Sequence, residues 1–163
     1  MIIRLCKIVL VLSLASFAFM VTFNNITDYD SNFQFVKHVL SMDTTFEGNA
    51  AMYRAITSPT LWNAGYWLII LGEGLTCLVL LYGAWAMFAA RREAGIVFQD
   101  SKTGVVVGAT TGFLVWFVGF MVVGGEWFLM WQSPTWNGQD AAFKFYMSIL
   151  GVLIFVMLPD DEI

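Results

Sequence analysis

Four long apolar runs constrain this chain more than any other feature of its sequence. They cover residues 5–23, 65–90, 104–131 and 142–158, and each approaches the roughly 20 residues that a helix needs to cross a bilayer. Because hydrocarbon offers backbone groups no hydrogen-bond partners, such a run in lipid has to be helical. The sequence therefore predicts an all-α fold, a four-helix transmembrane bundle forming one integral membrane domain over residues 1–163.

Composition and charge exclude several other classes of protein. Of the 163 residues, 59% are hydrophobic and 12% are charged, against roughly 45–50% and 25% in a soluble domain. A soluble domain of this size hides only about 70% of its unfolded surface, which is too little for so apolar a chain. The net charge is −4, without the basic runs that bind phosphate backbones. These numbers exclude a soluble enzyme, a nucleic-acid-binding protein and a disordered segment.

The distribution of Lys and Arg predicts the orientation in the membrane, because positive residues concentrate at the cytoplasmic ends of membrane helices. Five of the eight fall on one side of the four runs: Arg4, Lys7, Arg91, Arg92 and Lys102. Both termini, including the acidic tail Asp160-Asp161-Glu162, are therefore expected in the cytoplasm. A partly helical outer loop is expected over residues 24–64.

The first run also has the charged start and apolar stretch of a signal peptide. No Ala-x-Ala cleavage site follows it, since the chain continues from Phe19 to Asn24 as FMVTFN. We therefore expect the first run to be retained as a membrane helix.

Two carboxylates lie within the apolar runs. Glu73 lies in the second run, roughly 16 Å along the helix from Trp62 at 1.5 Å per residue, and Glu126 lies in the outer half of the third. An ionised carboxylate is costly there, so it should face the protein interior and be paired, hydrated or protonated. Glu73 and Glu126 are thus a candidate intramembrane polar site that carries a proton or binds a cation. Alternatively, each bonds a Trp, Tyr or Thr of another helix, or a loop arginine such as Arg54.

The third run begins with a stripe of glycines, Gly104, Gly108 and Gly112. Glycines four residues apart lie on one helix face and let a second backbone approach closely. We interpret the stripe as a helix-packing surface within the chain, against the first run, in preference to a homodimer contact.

Capping residues predict where other helices begin. Asp30 or Ser31 can cap a short helix that continues through Ser41. Ser58-Pro59 and Ser133-Pro134 each place Ser at an N-cap and Pro at the first helical position, which predicts helices entering from the outer surface.

The same loop contains His38, Asp43 and Glu47. One His and two acids without tight spacing do not predict a metal site, so we expect neither a metal nor a cofactor.

The segment FVKHVLSMDTTF, from Phe35 to Phe46, is followed by Arg54-Ala55-Ile56 and then by Glu73. With these residues the whole chain resembles a bacterial family of predicted small integral membrane proteins, grouped as domain of unknown function 2165. The resemblance implies four helices in a bacterial cytoplasmic membrane and implies no reaction. It also makes the outer loop a candidate interaction site, formed by His38, Asp43, Thr44, Thr45, Phe46 and Arg54.

Two functions of different classes follow from these features. The first is a non-catalytic accessory or assembly subunit, in contact with the lipid bilayer and with a membrane protein partner or a second copy of the chain. The alternative is a small transporter or proton- or cation-coupled module that uses Glu73 and Glu126. A water-filled cavity at Glu73 would favour transport, and a dry, bonded Glu73 would favour a structural role. An enzyme acting on lipid or quinone ranks last, because only His38 with Asp43 or Glu47 approaches a catalytic set, and nucleic acid is not expected as a partner.

Overall fold

The computed structural model describes residues 1–160, and within that range the chain forms helices and loops without a strand. The helices are α1 (Ile2–Thr27), α2 (Tyr29–Ser41), α3 (Pro59–Ala89), α4 (Gly95–Asp100), α5 (Thr103–Phe113) and α6 (Gln139–Met157). After α5 the chain continues as a π-helix over Leu114–Trp127, called the π segment below. The predicted acidic tail lies outside the described residues except for Asp160.

Four stretches are long and apolar enough to cross a membrane: Ile2–Thr27, Pro59–Ala89, Gly95–Trp127 and Gln139–Met157. The prediction of an all-α fold with four membrane-length helices is confirmed.

Several helices extend beyond their apolar runs. α3 begins at Pro59, directly after Ser58, since Pro at the first helical position lacks only an N–H that would be unbonded anyway. α1 continues to Thr27, and the N–H of Asp28 still bonds the carbonyl of Asn24 at 2.8 Å. The polar residues at these two helix ends therefore lie inside helices, although the sequence predicts that they belong to the outer loop.

The prediction of a helix start at Ser133-Pro134 is wrong. The Ser133 hydroxyl accepts hydrogen bonds from the N–H groups of Thr135, at 3.3 Å, and Trp136, at 2.8 Å. These bonds close a turn, and α6 begins later, at Gln139.

Small and branched side chains form the core between the long helices. α1 buries Ile8, Val11, Ala15 and Ala18, whose spacing of three and four residues is that of one helix face. The first three pack with side chains of α3 and α6, among them Leu80, Ala84, Met87 and Val156, and Ala18 belongs to a second cluster that contains Trp116. Large apolar side chains such as Leu68, which is 72% exposed, cover the outside, as expected where lipid is the solvent.

The glycine stripe packs within the chain, against α3 at Gly104 and Gly108 and against both α3 and α6 at Gly112, and not against the first helix. A Cβ atom on Gly104 would lie 2.9 Å from Cα of Gly83, and one on Gly108 would lie 2.8 Å from Leu80. α3 is the partner because Gly83 also lacks a side chain, so the two backbones touch where Gly83 and Gly104 meet.

Residues from both ends of the chain meet at one end of the helices, called the lysine end. Arg4 donates to the carbonyls of Arg91, at 3.2 Å, and Glu93, at 2.7 Å. Lys7 and Lys102 both donate to Asp160, at 2.9 and 2.5 Å. Arg4, Lys7 and Lys102 are buried, because each is enclosed by the chain segments that it bonds.

Candidate functional site

A polar cavity of about 320 Å³ lies among α1, α2, α3, the π segment and α6. This volume is within the range of roughly 300–1,000 Å³ that small-molecule sites occupy. Its polar lining consists of Asn24 and Asn25 from α1, Asn32 from α2, and Tyr66 and Glu73 from α3. These residues reach one place because α1 extends past its apolar run, so its terminal amides face α3.

Glu73 is the buried carboxylate of this cavity, with 2% of its surface exposed. α3 places it on the face that also buries Tyr66, Ile70 and Thr76, a spacing of three and four residues. The amide of Asn25 donates a 2.7 Å hydrogen bond to Oε2 of Glu73. A bond from a neutral amide orients the carboxylate without neutralising its charge.

Asn25 connects Glu73 to two further polar side chains. Its Oδ1 accepts a hydrogen bond from Asn32 Nδ2 at 2.8 Å. The hydroxyl of Tyr66 lies 3.1 Å from the Asn25 carbonyl and 3.2 Å from its Oδ1. The hydrogen-bonded chain from Asn32 through Asn25 to Glu73 therefore links α2, α1 and α3, and it fixes the position of the carboxylate.

The electrostatic setting of Glu73 favours binding of positive charge. Among the described residues that line the cavity, Glu73 has the only carboxylate, and Lys, Arg and His are absent. The remaining wall includes the aromatic rings of Trp116, Phe120 and Phe145, whose faces attract cations. A proton or a cation is the chemical group that this arrangement can accept.

Glu126, predicted to share a site with Glu73, lies elsewhere. It is exposed near the end of the π segment and is not part of the cavity wall. Gly124 and Gly125 are buried, and the side chain of Glu126, the next residue, points out of the protein.

Arg54 does not reach Glu73, contrary to one interpretation of the sequence. Its guanidinium lies 4.8 Å from the ring centre of Trp127 and donates to the Trp127 carbonyl at 3.3 Å. Arg54 is the last residue of the short turn Met52–Arg54, which holds it near the surface, and Glu73 has Asn25 as its partner.

His38 and Asp43, two predicted loop-site residues, contact each other. Nδ1 of His38 lies 2.7 Å from Oδ2 of Asp43, and the imidazole stacks on Trp136 with ring centres 4.7 Å apart. Among residues 1–160 no group of three or more His, Cys, Asp and Glu residues could hold a metal ion.

Three other predicted loop-site residues form hydrogen bonds with groups of the same protein. Thr44 donates to the Ser133 hydroxyl at 2.7 Å, and Thr45 donates to the Met42 carbonyl at 2.8 Å. The N–H of Phe46 donates to Gln132 Oε1 at 3.1 Å. The two loops at residues 42–58 and 128–138 are thus bound to each other, and together they form the loop end.

Asn25 and Asn32 are not predicted as site residues from the sequence. A sequence signal for Asn25 exists, because Asn25 lies seven residues after Ala18 and so continues the buried face of α1 if the helix extends past residue 23. Asn32 offers no comparable signal, since only the docking of α2 brings it to Asn25.

A second, apolar cavity of about 200 Å³ lies beside the polar one, between α2, α3 and the π segment. Four residues line both cavities: Phe35, Val36, Ile69 and Phe120. The rings of Phe35 and Phe120 stack with centres 6.0 Å apart, so an aromatic pair lies at the junction of the cavities.

Comparison with known proteins gives one match. The sequence model of a family described as "Predicted small integral membrane protein (DUF2165)" matches residues 3–159. No curated protein and no solved structure matches the chain.

Proposed function

The chain belongs to the DUF2165 family of predicted small integral membrane proteins, and on this premise we propose that it binds a proton or a small cation reversibly at Glu73, as the binding step of a small transporter. The observation that carries the proposal is that Glu73 lines a cavity of about 320 Å³. A purely structural carboxylate would instead be enclosed by side chains that use all of its bonding capacity.

The surroundings of Glu73 support reversible binding. An ionisable residue at membrane depth is expensive unless it has a partner or a function. Asn25 supplies one hydrogen bond of 2.7 Å but no positive charge. A cation entering the cavity would therefore find a carboxylate that is already oriented and not neutralised by Lys or Arg of the described cavity wall.

Modification of Glu73 by dicyclohexylcarbodiimide, which attacks protonated carboxyls in apolar surroundings, tests this proposal. In purified protein in lipid nanodiscs, we expect one adduct in the wild type and in Glu126→Gln, and none in Glu73→Gln. Ethylammonium chloride should suppress the adduct, because the cation favours the ionised carboxylate. Intact-mass spectrometry measures the modified fraction. A Glu73 that stays unmodified, or that ethylammonium does not protect, would indicate a sealed structural residue.

We further propose a bacterial cytoplasmic membrane as the location, with the lysine end in the cytoplasm. Arg4, Lys7, Arg91, Arg92 and Lys102 give that end most of the positive charge, and positive charge favours the cytoplasmic side.

Two exposed glutamates, one at each end of the helices, offer a matched test of this orientation. In a Cys6→Ser background, Glu47→Cys should react with an impermeant maleimide in intact bacterial cells. Glu93→Cys should react only after the cells are permeabilised. Gel-shift labelling measures both, and the opposite pattern would reverse the orientation.

A second candidate function is the non-catalytic accessory subunit, for which we expect no enzymatic reaction. It is favoured by the loop end, where Tyr53 is 78% exposed although the loops are bound to each other. Phe46, Trp127 and Trp131 are also exposed there. A membrane protein partner would contact these rings, while the same residues also suit the lipid headgroup region.

A further inference from the structure

The apolar cavity opens toward lipid. Its wall includes Leu68, which is 72% exposed on the membrane helix α3, and Val123 of the π segment, which is also exposed. Between them the wall is formed in part by Gly65, Gly119 and Gly124. A Cβ atom added to Gly119 would have no neighbour within 4 Å. The missing side chain at Gly119 therefore leaves a gap between α3 and the π segment at a lipid-facing surface.

The two cavities adjoin each other. The apolar cavity shares Phe35, Val36, Ile69 and Phe120 with the cavity of Glu73. A molecule that reached from the gap past these shared residues would have hydrocarbon surroundings at one end and a carboxylate with amides at the other. The stacked rings of Phe35 and Phe120 would contact its middle.

We propose that the ligand of Glu73 is an amphipathic organic amine that enters from the bilayer through the gap between α3 and the π segment. This inference rests on the proposed function and names its substrate class. The ammonium group would bind Glu73, and the hydrocarbon chain would occupy the apolar cavity.

Charge and polarity favour an amine over other lipophilic molecules. No Lys, Arg or His is among the described residues that line either cavity, so the negative charge of a fatty acid or phospholipid phosphate would meet the like charge of Glu73 without a cation between them. A neutral hydrocarbon would supply no positive charge to the buried Glu73 carboxylate, whose hydrogen-bond partner Asn25 is neutral, and a buried charge without a counter-charge is costly. An inorganic cation has no apolar part and would not bind in the apolar cavity.

Protection of Glu73 from dicyclohexylcarbodiimide by two amines tests the inference. Ethylammonium probes the carboxylate alone, and decylammonium probes the carboxylate together with the apolar cavity. Gly119→Leu fills the gap, since Gly119 lines the apolar cavity and not the polar one. Gly151→Leu is the matched control, because a Cβ at exposed Gly151 also meets nothing within 4 Å. Decylammonium partitions into the nanodisc lipid equally with either variant, so a difference between Gly119→Leu and Gly151→Leu does not come from partitioning.

For each amine we measure the concentration that halves the dicyclohexylcarbodiimide adduct at Glu73. We expect Gly119→Leu to raise this concentration for decylammonium at least about tenfold, because filling a hydrophobic pocket by a few methylene groups weakens binding by about this factor or more. The half-protecting concentration of ethylammonium should stay unchanged in Gly119→Leu. In Gly151→Leu the half-protecting concentrations of both amines should equal those of the wild type. All variants are first compared with the wild type by gel filtration and thermal unfolding.

The outcomes separate this inference from the proposed function. Unchanged decylammonium protection in a folded Gly119→Leu protein would overturn entry through the gap, while protection by ethylammonium would leave cation binding at Glu73 intact. Failure of both amines to protect the wild type would overturn both proposals.

Discussion

Gly83→Ala is expected to lower the free energy of unfolding by about 1–3 kcal/mol, the range for overpacking a tight core. The added Cβ would lie 2.7 Å from the backbone nitrogen of Val105 and 2.9 Å from the carbonyl carbon of Gly104. Both atoms are backbone, so no side chain can rotate away, and α3 and α5 have to separate. Unfolding by sodium dodecyl sulfate in mixed micelles measures the loss.

Gly151→Ala provides the control for this experiment. It makes the same chemical change in the middle of α6, where a Cβ meets no atom within 4 Å. Alanine is favoured over glycine in a helix by about 1 kcal/mol, so this variant should be as stable as the wild type or slightly more stable. Equal stabilities of Gly83→Ala and Gly151→Ala would contradict the close approach of α3 and α5.

Asp160→Asn is expected to lower the free energy of unfolding by about 3–5 kcal/mol, which is the usual effect of removing one partner from a buried ion pair. The Asp160 carboxylate accepts from Lys7 at 2.9 Å and from Lys102 at 2.5 Å, and the two lysine side chains are each 1% exposed. Without the carboxylate, two buried ammonium groups lose their counter-charge. The same detergent titration measures this loss at neutral pH.

Two further variants identify the cause of that loss. Asp140→Asn removes the same charge from an exposed position at the start of α6, where the effect should be at most about 1 kcal/mol. Adding Lys7→Met to Asp160→Asn should restore part of the lost stability, because it removes one of the two uncompensated charges. A double variant less stable than Asp160→Asn alone would contradict the charge argument.

The contribution of Asp160 should also depend on pH. Burial raises the pKa of Asp160, but the hydrogen bonds and charges of Lys102 and Lys7 outweigh it and hold the pKa below the ordinary 3.8. A carboxyl whose folded pKa is lowered stabilises the protein above its unfolded pKa and loses that effect as the pH falls through the folded pKa. The stability difference between the wild type and Asp160→Asn should therefore shrink below about pH 3.8.

Much of the fold can be predicted from the sequence because a bilayer leaves few alternatives. Four long apolar runs have to become four helices. A short helix ending at Ser41 is also predicted, but it begins at Tyr29, so Asp30 and Ser31 lie inside the helix and do not cap it. The glycine stripe indicates close packing, but its partner α3 depends on Gly83, a single glycine whose position carries no special sequence signal. Helix ends are less predictable, as Ser133-Pro134 demonstrates, since a capping serine can equally close a turn.

Composition and run length are enough to predict a membrane protein with four long helices. The cost of a charge in lipid predicts that both Glu73 and Glu126 face the interior, yet Glu73 is buried and Glu126 is exposed. Which polar groups meet depends on the tertiary structure. Asn25 and Glu73 are 48 residues apart, and Lys7 and Asp160 are 153 residues apart. Contacts over such separations depend on the rotation and packing of whole helices, and no local pattern in the sequence encodes them.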